Sequence, residues 1–307
     1  MLIIRHGYLV YQSYFNGYDA DKLHDVASDT KSFASALVGV ARSQGKLANL
    51  DAKLPELLPT YFVNGKHADK ASITLRHLLM MRSGIRWSER DSNDGKLGDP
   101  ATLLSQDLTE GVLSLPMAHT PGEAWTYSTA DVQLISAIVQ QATGLSLRDF
   151  AAAHLFAPLN IRNFEWLQAS NGTTVGGTSL RLAPQDMAKL GALYLHGGQW
   201  LGQQVVPSDW VSLTTTAQGT ALNTDSGQTQ PIDWYGYLWW LRPRGYYDAR
   251  SNAIVAYGYG GQYIVVLPEL DMIVVTTATY DVTSGQAGVQ EQAVSEFIRD
   301  VVMPTVK

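Results

Sequence analysis

The 307-residue sequence predicts an α+β fold: one antiparallel sheet built from both ends of the chain, flanked by helices, with a helical region inserted between. Three observations predict it. Residues 2–14 read as two paired strands around His6-Gly7. The middle of the chain carries helical periodicity with stop signals. Beyond residue 232 the chain returns to β-rich runs joined by tight turns. The sheet part covers about 1–28 and 232–307, the helical insertion about 29–231, and the whole, 1–307, reads as one domain.

The elements follow in order. Leu2–Ile4 and Tyr8–Tyr14 form the hairpin. Residues 29–44 form the first helix, small and apolar, closed by Gly45. Asp51–Pro59 is a short helix between prolines, and Thr74–Met81 is another, ended by Ser83-Gly84. Residues 88–100 are polar and rich in Asp and Gly, hence a loop. Asp131–Thr143 is an amphipathic helix with Val132, Ile135, Ile138 and Val139 on one face and Gly144 as stop. Leu147–Leu155 and Pro184–Leu195 are further helices, and 216–231 is a second polar loop. Strands are expected at Tyr235–Leu241, Ile254–Tyr257, Gln262–Leu267 and Met272–Ala278, with a tight turn at Pro268–Asp271 and a closing helix at Gln290–Val302.

Composition narrows the function. The chain is 45% hydrophobic and 16% charged, so it buries a core. A net charge of −6 and no Lys/Arg-rich block argue against a nucleic-acid partner. It has no cysteine, which excludes disulfides, thiolate catalysis and Cys-based zinc sites. No apolar run reaches the roughly 20 residues that span a bilayer. The N-terminus reads as a strand and not as a signal peptide, which fits a cytoplasmic chain or an exported one with its signal removed. The seven histidines show no His-Glu-x-x-His spacing, so no metal is expected. No phosphate loop or dinucleotide fingerprint occurs, and no cofactor is expected. Gly-x-Ser-x-Gly is absent too, so the α/β-hydrolase elbow is missing.

The candidate chemistry begins at Ser28-Asp29-Thr30-Lys31. Residues i and i+3 share a helix face, so Lys31 reaches the Ser28 oxygen. N–H groups at a helix N-terminus favour nearby negative charge. A serine so placed can be deprotonated by an amine and attack a carbonyl. The pattern is not specific, since roughly one Ser-x-x-Lys is expected by chance in such a chain. Ser43-Gln44-Gly45-Lys46 is a second copy, at the C-terminal end of the same helix, where the field is wrong for an oxyanion. The bland reading of Ser28 alone is a serine satisfying helix donors.

Two further segments decide the matter. Thr120–Asp131, containing Tyr127-Ser128-Thr129, leads into the amphipathic helix, and Tyr257–Tyr263, containing Tyr259-Gly260-Gly261, leads into a strand. With Ser28–Lys31, in this order and at these separations, the chain resembles the serine β-lactamase-like hydrolases over nearly its whole length. That superfamily includes class C β-lactamases, D-alanyl-D-alanine peptidases, esterases of the same fold and 6-aminohexanoate-dimer hydrolases. Tyr127-Ser128-Thr129 sits where they carry Tyr-x-Asn, and Tyr259-Gly260-Gly261 where they carry Lys-Thr-Gly or His-x-Gly. Arg76-His77-Leu78-Leu79, Pro121-Gly122-Glu123 and Ser179–Asp186 resemble their connecting phrases.

The resemblance implies one catalytic domain over 1–307 and an acyl-enzyme on Ser28. It implies Lys31 and Tyr127 as a general acid/base pair, with either as the base. It implies an oxyanion hole from the backbone N–H groups of Ser28 and Gln262, and a substrate-binding set of Tyr259, Gly260, Gly261 and Thr129; Trp87 is added as a residue that lines the cleft. The implied substrate is a small-molecule ester or linear amide. Thr129 replaces an amide, and Tyr259 a cation that favours a β-lactam carboxylate. Both point to the esterase and 6-aminohexanoate-dimer hydrolase branch. The alternatives are a β-lactamase or D-alanyl-D-alanine carboxypeptidase, and a catalytically silent binding protein on the same fold. The family usually places a helix before the first strand, and this chain begins inside that strand, as a truncated or misassigned N-terminus would.

Overall fold

The computed structural model describes residues 1–89, 107–223, 230–232 and 234–307. Its main sheet has six strands in the order β11-β12-β13-β14-β1-β2. β1 (Leu2–Arg5) and β2 (Tyr8–Gln12) come from the start of the chain. β11 (Trp240–Arg242), β12 (Ala253–Gly258), β13 (Gln262–Leu267) and β14 (Met272–Thr276) come from the end. The two ends meet where β1 pairs antiparallel with β14, Leu2 opposite Val275 and Arg5 opposite Met272. The expected sheet of both termini is therefore present.

β13 and β14 are buried on both faces, which explains their unbroken apolar sequences. Ile264, Val266, Ile273 and Val275 face the larger core. Val265, Leu267, Met272 and Val274 face a second cluster completed by Ile298, Val302 and Met303 near the C-terminus. The two-residue side-chain period of a strand assigns alternate residues to the two layers.

Between β2 and β11 lies the helical region. Its described helices are α1 (Thr30–Ser43), α2 (Leu54–Leu57), α3 (Leu75–Leu79), α4 (Leu108–Leu113), α5 (Thr129–Thr143), α6 (Leu147–Ala151), α7 (Pro184–Leu195) and α8 (Ser208–Thr214). α1 is buried from Thr30 to Ala41, so its small residues let α5 and the sheet approach from several sides. Short strands accompany these helices: β3 (His24–Asp25), β5 (Glu165–Trp166) and β6 (Leu180–Leu182) form one small sheet, and β7 (Gln199–Trp200) and β8 (Gln203–Gln204) a hairpin.

Three expectations need correction. The polar stretch 216–231 is not all loop: β9 (Ala221–Asn223) and β10 (Gln230–Ile232) pair, and β9 also pairs with β4 (Ala124–Trp125). Tyr235–Leu241 is not a strand throughout, because residues 235–239 turn back so that Gly236 N–H donates to Trp239 O at 2.9 Å. Leu238 takes a left-handed φ of 65° there. The closing helix, α9, runs Ser284–Phe297, starting well before Gln290 because Thr283 caps it through the Gln286 N–H. Of the expected loop at 88–100, residues from 90 onward lie outside the described set.

The 235–239 turn is held by α1. Ser32 Oγ donates to Leu238 O at 2.8 Å, and Ser35 Oγ to Tyr237 O at 2.7 Å, both buried. Serines three apart on one helix face thus satisfy two carbonyls that the turn exposes to the core. Ser35→Ala is expected to leave the Tyr237 carbonyl without this donor and cost ~1–3 kcal/mol. The urea unfolding midpoint reads this directly, and an unchanged midpoint would remove the hydroxyl from the account.

Candidate active site

Ser28 lies in a 3-10 turn, Ala27–Asp29, that feeds directly into α1. Ala27 adopts φ 48°, a left-handed conformation costly for a residue with a Cβ. Two hydrogen bonds hold it: Ala27 N–H donates to Asp25 Oδ1 at 2.8 Å, and Thr30 Oγ1 donates to Ala27 O at 2.6 Å. The strained residue immediately precedes the half-buried Ser28.

Lys31 is 1% exposed. Its Nζ donates to Ser28 Oγ at 2.9 Å, Thr129 Oγ1 at 2.9 Å and Gly177 O at 2.8 Å. These three acceptors match the three N–H bonds of an ammonium. The amine also lies 4.9 Å from the centre of the Tyr127 ring. Gly177 reaches this position only without a side chain, since a Cβ there would lie 2.9 Å from Thr129 Cγ2.

Tyr127 and Thr129 are delivered by the start of α5. Ser128 is its N-cap, its side chain accepting from the Asp131 N–H. The Asp131 carboxylate in turn accepts from Ser83 Oγ at 2.6 Å and Ser128 Oγ at 3.0 Å. Burial raises the Asp131 carboxyl to about 7 against the pull of these hydroxyls. Trp240 stacks on Tyr127 with centroids 5.6 Å apart, and Tyr257 stands edge-on to Trp240.

Burial lowers Lys31 to about 8, opposed by the negative charges of Glu89 and then Asp29. The Tyr127 hydroxyl goes the other way: burial, then Tyr235 and Glu89, push it well above the phenol range. Asp29 is fully buried, and burial pushes its carboxyl well up despite Lys31.

The structure thus brings Ser28, Lys31, Tyr127 and Thr129 together. Trp87 joins them indirectly: its Nε1 donates to Glu89 Oε1 at 2.7 Å, and the same oxygen accepts the Thr129 N–H at 2.6 Å. The Tyr259 side chain and Gly260 are bonded away from this cluster. Tyr259, Gly260 and Gly261 form the β12–β13 turn, and the turn faces α9. Tyr259 Oη donates to Val282 O at 2.9 Å, and Gly260 N–H to Glu291 Oε1 at 2.9 Å. Gln262 is 0% exposed, and its side chain is spent on Tyr259 O and on both backbone groups of Ala278. An N–H in a residue without accessible surface cannot meet an incoming oxygen.

The part of β12 that meets the nucleophile turn is its last residue. A Cβ on Gly258 would lie 2.4 Å from Val26 O and 3.1 Å from Ala27 Cβ. Glu89, Gly177, Tyr257 and Gly258 are the residues that sequence reasoning missed. Only the glycine ending the Ile254–Tyr257 run gave a local signal.

The Beta-lactamase family profile matches residues 1–296. The chain belongs to the β-lactamase family. It is 25% identical over 303 residues to the 6-aminohexanoate-dimer hydrolase of Paenarthrobacter ureafaciens, covering 91% of this chain and 72% of that one. It is 25% identical over 178 residues to Protein flp of Staphylococcus aureus (strain MW2), 55% of this chain, and spans only 35% of that protein's length. Solved structures share the fold. The hydrolase EstCE1, which has promiscuous acyltransferase activity, superposes with TM-score 0.72 at 17% identity, covering 96% of this chain and 92% of its own. The octameric penicillin-binding protein homologue from Pyrococcus abyssi gives 0.69 at 17% identity, covering 99% and 72%.

Among the described residues of this family member, no group of three or more His, Asp or Glu could hold a metal ion. No helix among them is long and apolar enough to cross a membrane. A cavity of about 550 Å³ at the β11–β12 edge, lined by Trp234, Arg242, Asn252 and Glu269 among others, contains none of the Ser28 cluster. The approach of β12 to the nucleophile is directly testable. Gly258→Ala is expected to displace the 26–28 turn and slow acylation of Ser28 by a fluorophosphonate at least ~10-fold. An unchanged labelling rate would show that the turn tolerates the methyl.

Proposed function

We propose that the protein hydrolyses small carboxylic esters, and linear amides more slowly, through an acyl-enzyme on Ser28. The observation that carries this is the Lys31 amine, buried and 2.9 Å from Ser28 Oγ inside a cage of three oxygens. Lys31 is the better base of the pair. Its amine is lowered to about 8 whereas the Tyr127 phenol is raised. A neutral amine keeps its bonds to Thr129 and Gly177 and turns its lone pair to the Ser28 hydroxyl.

Ser28 Oγ then attacks the acyl carbon as its proton passes to Lys31. The carbonyl oxygen, now negative, is received by the Ser28 and Tyr259 backbone N–H groups. Three facts favour Tyr259 over Gln262. It follows the glycine that touches the nucleophile turn, it is half-buried where Gln262 is sealed, and its N–H has no protein acceptor among the described residues. Tyr127, whose ring lies beside the Lys31 amine, passes a proton to the leaving alkoxide or amine and is recharged by the Lys31 ammonium. Water attacks the acyl-enzyme by the same path in reverse: its proton returns through Tyr127 and Lys31, the acyl C–O bond breaks, and Ser28 recovers its hydroxyl.

The substrate class rests on the walls. The Thr129 hydroxyl accepts from Lys31, and the aromatic side is built from Tyr127, Trp240 and Tyr257. Arg242 lies over the rings of Trp240 and Tyr246, 5.1 and 4.9 Å from their centres. The relatives act on an amide dimer by name, or are hydrolases with acyl transfer. Trp87 forms the rim of the same cleft, and residues 1–307 act as one catalytic unit.

A fluorophosphonate is expected to label Ser28, and Ser28→Ala to abolish both labelling and turnover of p-nitrophenyl butyrate. Retained turnover in that variant would sink the mechanism. Nitrocefin turnover as fast as ester turnover would move the substrate class to β-lactams. Lys31→Ala and Tyr127→Phe are each expected to lose at least ~10²-fold in kcat. Because the neutral amine is the active form and its fraction grows with pH, kcat/KM should rise through an acid limb near about 8 and then level. A flat profile from 6 to 9 would exclude Lys31 as the titrating base.

A further inference from the structure

Glu89 has no part in the mechanism above, yet one of its oxygens ties two walls of the site together. Oε1 accepts the Thr129 N–H at 2.6 Å and the Trp87 indole N–H at 2.7 Å. Thr129 Oγ1 is itself one of the three acceptors that cage Lys31. The carboxylate lies at the first turn of a 15-residue helix, where negative charge is favoured, and the tryptophan fixes its rotamer.

We infer that Glu89 is a positioning residue for the Ser28–Lys31 pair: it holds Thr129 in place to cage the amine and supplies the anion that favours the ammonium Lys31 becomes on taking the Ser28 proton. This rests on the acyl-enzyme reading above.

The groups facing Lys31 support the assignment. From its own turn comes Asp29, fully buried, whose carboxyl burial pushes well up despite Lys31. From the segment before α5 comes the Tyr127 ring, and from the first residue of α5 the Thr129 hydroxyl. From residues 176–179 comes the Gly177 carbonyl. Tyr235 acts on Tyr127, and Asp131 on Tyr235, rather than on the amine. Of the two carboxylates that act on Lys31, Glu89 has the larger effect and Asp29 the smaller, and both oppose the effect of burial. Without it the amine would be a weaker base. With it the protonated amine formed during acylation is stabilised, at the cost of a higher pH for activation.

The two roles separate by substitution. Glu89→Gln keeps a carbonyl oxygen for Thr129 and Trp87 but removes the charge. Glu89→Ala removes both, and Glu89→Asp restores charge on a shorter arm. The experiment is the pH dependence of kcat and kcat/KM for p-nitrophenyl butyrate, with fluorophosphonate labelling of Ser28 and the urea midpoint measured on the same preparations. Glu89→Gln is expected to move the acid limb of kcat/KM to lower pH by about half a unit or more, since loss of an anion lowers the amine's pKa. Its midpoint should stay at the wild-type value. Glu89→Ala should show the same shift and also lose roughly 10-fold in kcat, with KM little changed, as the amine's cage loosens. Glu89→Asp should return the limb toward wild type.

A Glu89→Gln limb that superposes on wild type overturns the charge role. A wild-type kcat in Glu89→Ala overturns the positioning role. If wild type itself shows neither Ser28 labelling nor ester turnover, the acyl-enzyme reading fails, a result distinguishable from a labelled enzyme whose limb does not move.

Discussion

The site depends on one buried amine. Lys31 has almost no contact with water, so its ammonium loses hydration that only dipoles and charges of the protein can replace. Ser28 Oγ, Thr129 Oγ1 and Gly177 O supply three acceptors, one from each of three separate segments. The interaction therefore organises as much as it activates. α1, the start of α5 and the 176–179 segment must each stand at the right depth before the amine is satisfied. Gly177 is tied to this, because a side chain there would strike Thr129 before its carbonyl reached the nitrogen.

The sheet fixes the remaining wall. β13 and β14, buried on both faces, set the level of β12, and the end of β12 touches the turn that carries Ser28. α1 grips the other approach through Ser32 and Ser35, whose hydroxyls hold the turn leading to Trp239 and Trp240. Trp239 is fully buried and Trp240 half-buried against Tyr127, so one aromatic pair anchors the turn in the core and presents an aromatic wall to the site. The nucleophile helix thus touches all the walls that confine it.

What could be read from the chain follows from the range of each interaction. Ser28 and Lys31 were legible because an i,i+3 pair is fixed by helix geometry alone. Tyr127 is legible only through the resemblance of Tyr127-Ser128-Thr129 to the family's Tyr-x-Asn; the capping role of Ser128 that holds it is a finding of the fold. The glycine-rich third segment was placed at Tyr259–Gly261, whereas Gly258 makes the contact. A strand end and a three-residue turn that both contain glycine look alike in sequence, and only the register Gly258 opposite Gln262 tells them apart. Residues 235–239 looked like a strand for a similar reason: their apolar content is real, but it serves a buried turn bound to α1. Glu89 left no sequence signal at all. Its importance comes from a hydrogen bond across forty positions to Thr129, which no local pattern encodes.

Thr129 shows how base and substrate recognition become coupled. An asparagine has an amide with both donor and acceptor, enough to serve a lysine and a substrate at once. Threonine has one hydroxyl, and here its oxygen accepts from Lys31 while its methyl packs over Gly177. Its backbone N–H is spent on Glu89. What the position gains is a rigid hold on the amine from both ends of one residue. What it gives up is a polar arm for the substrate's own amide. In the proposed mechanism, recognition then falls to the oxyanion donors and to the aromatic wall of Tyr127, Trp240 and Tyr257, surfaces that read the shape and polarity of an acyl group rather than its hydrogen-bonding pattern. On that mechanism acyl groups are told apart mainly by fit, where each methylene is worth about 1–3 kcal/mol.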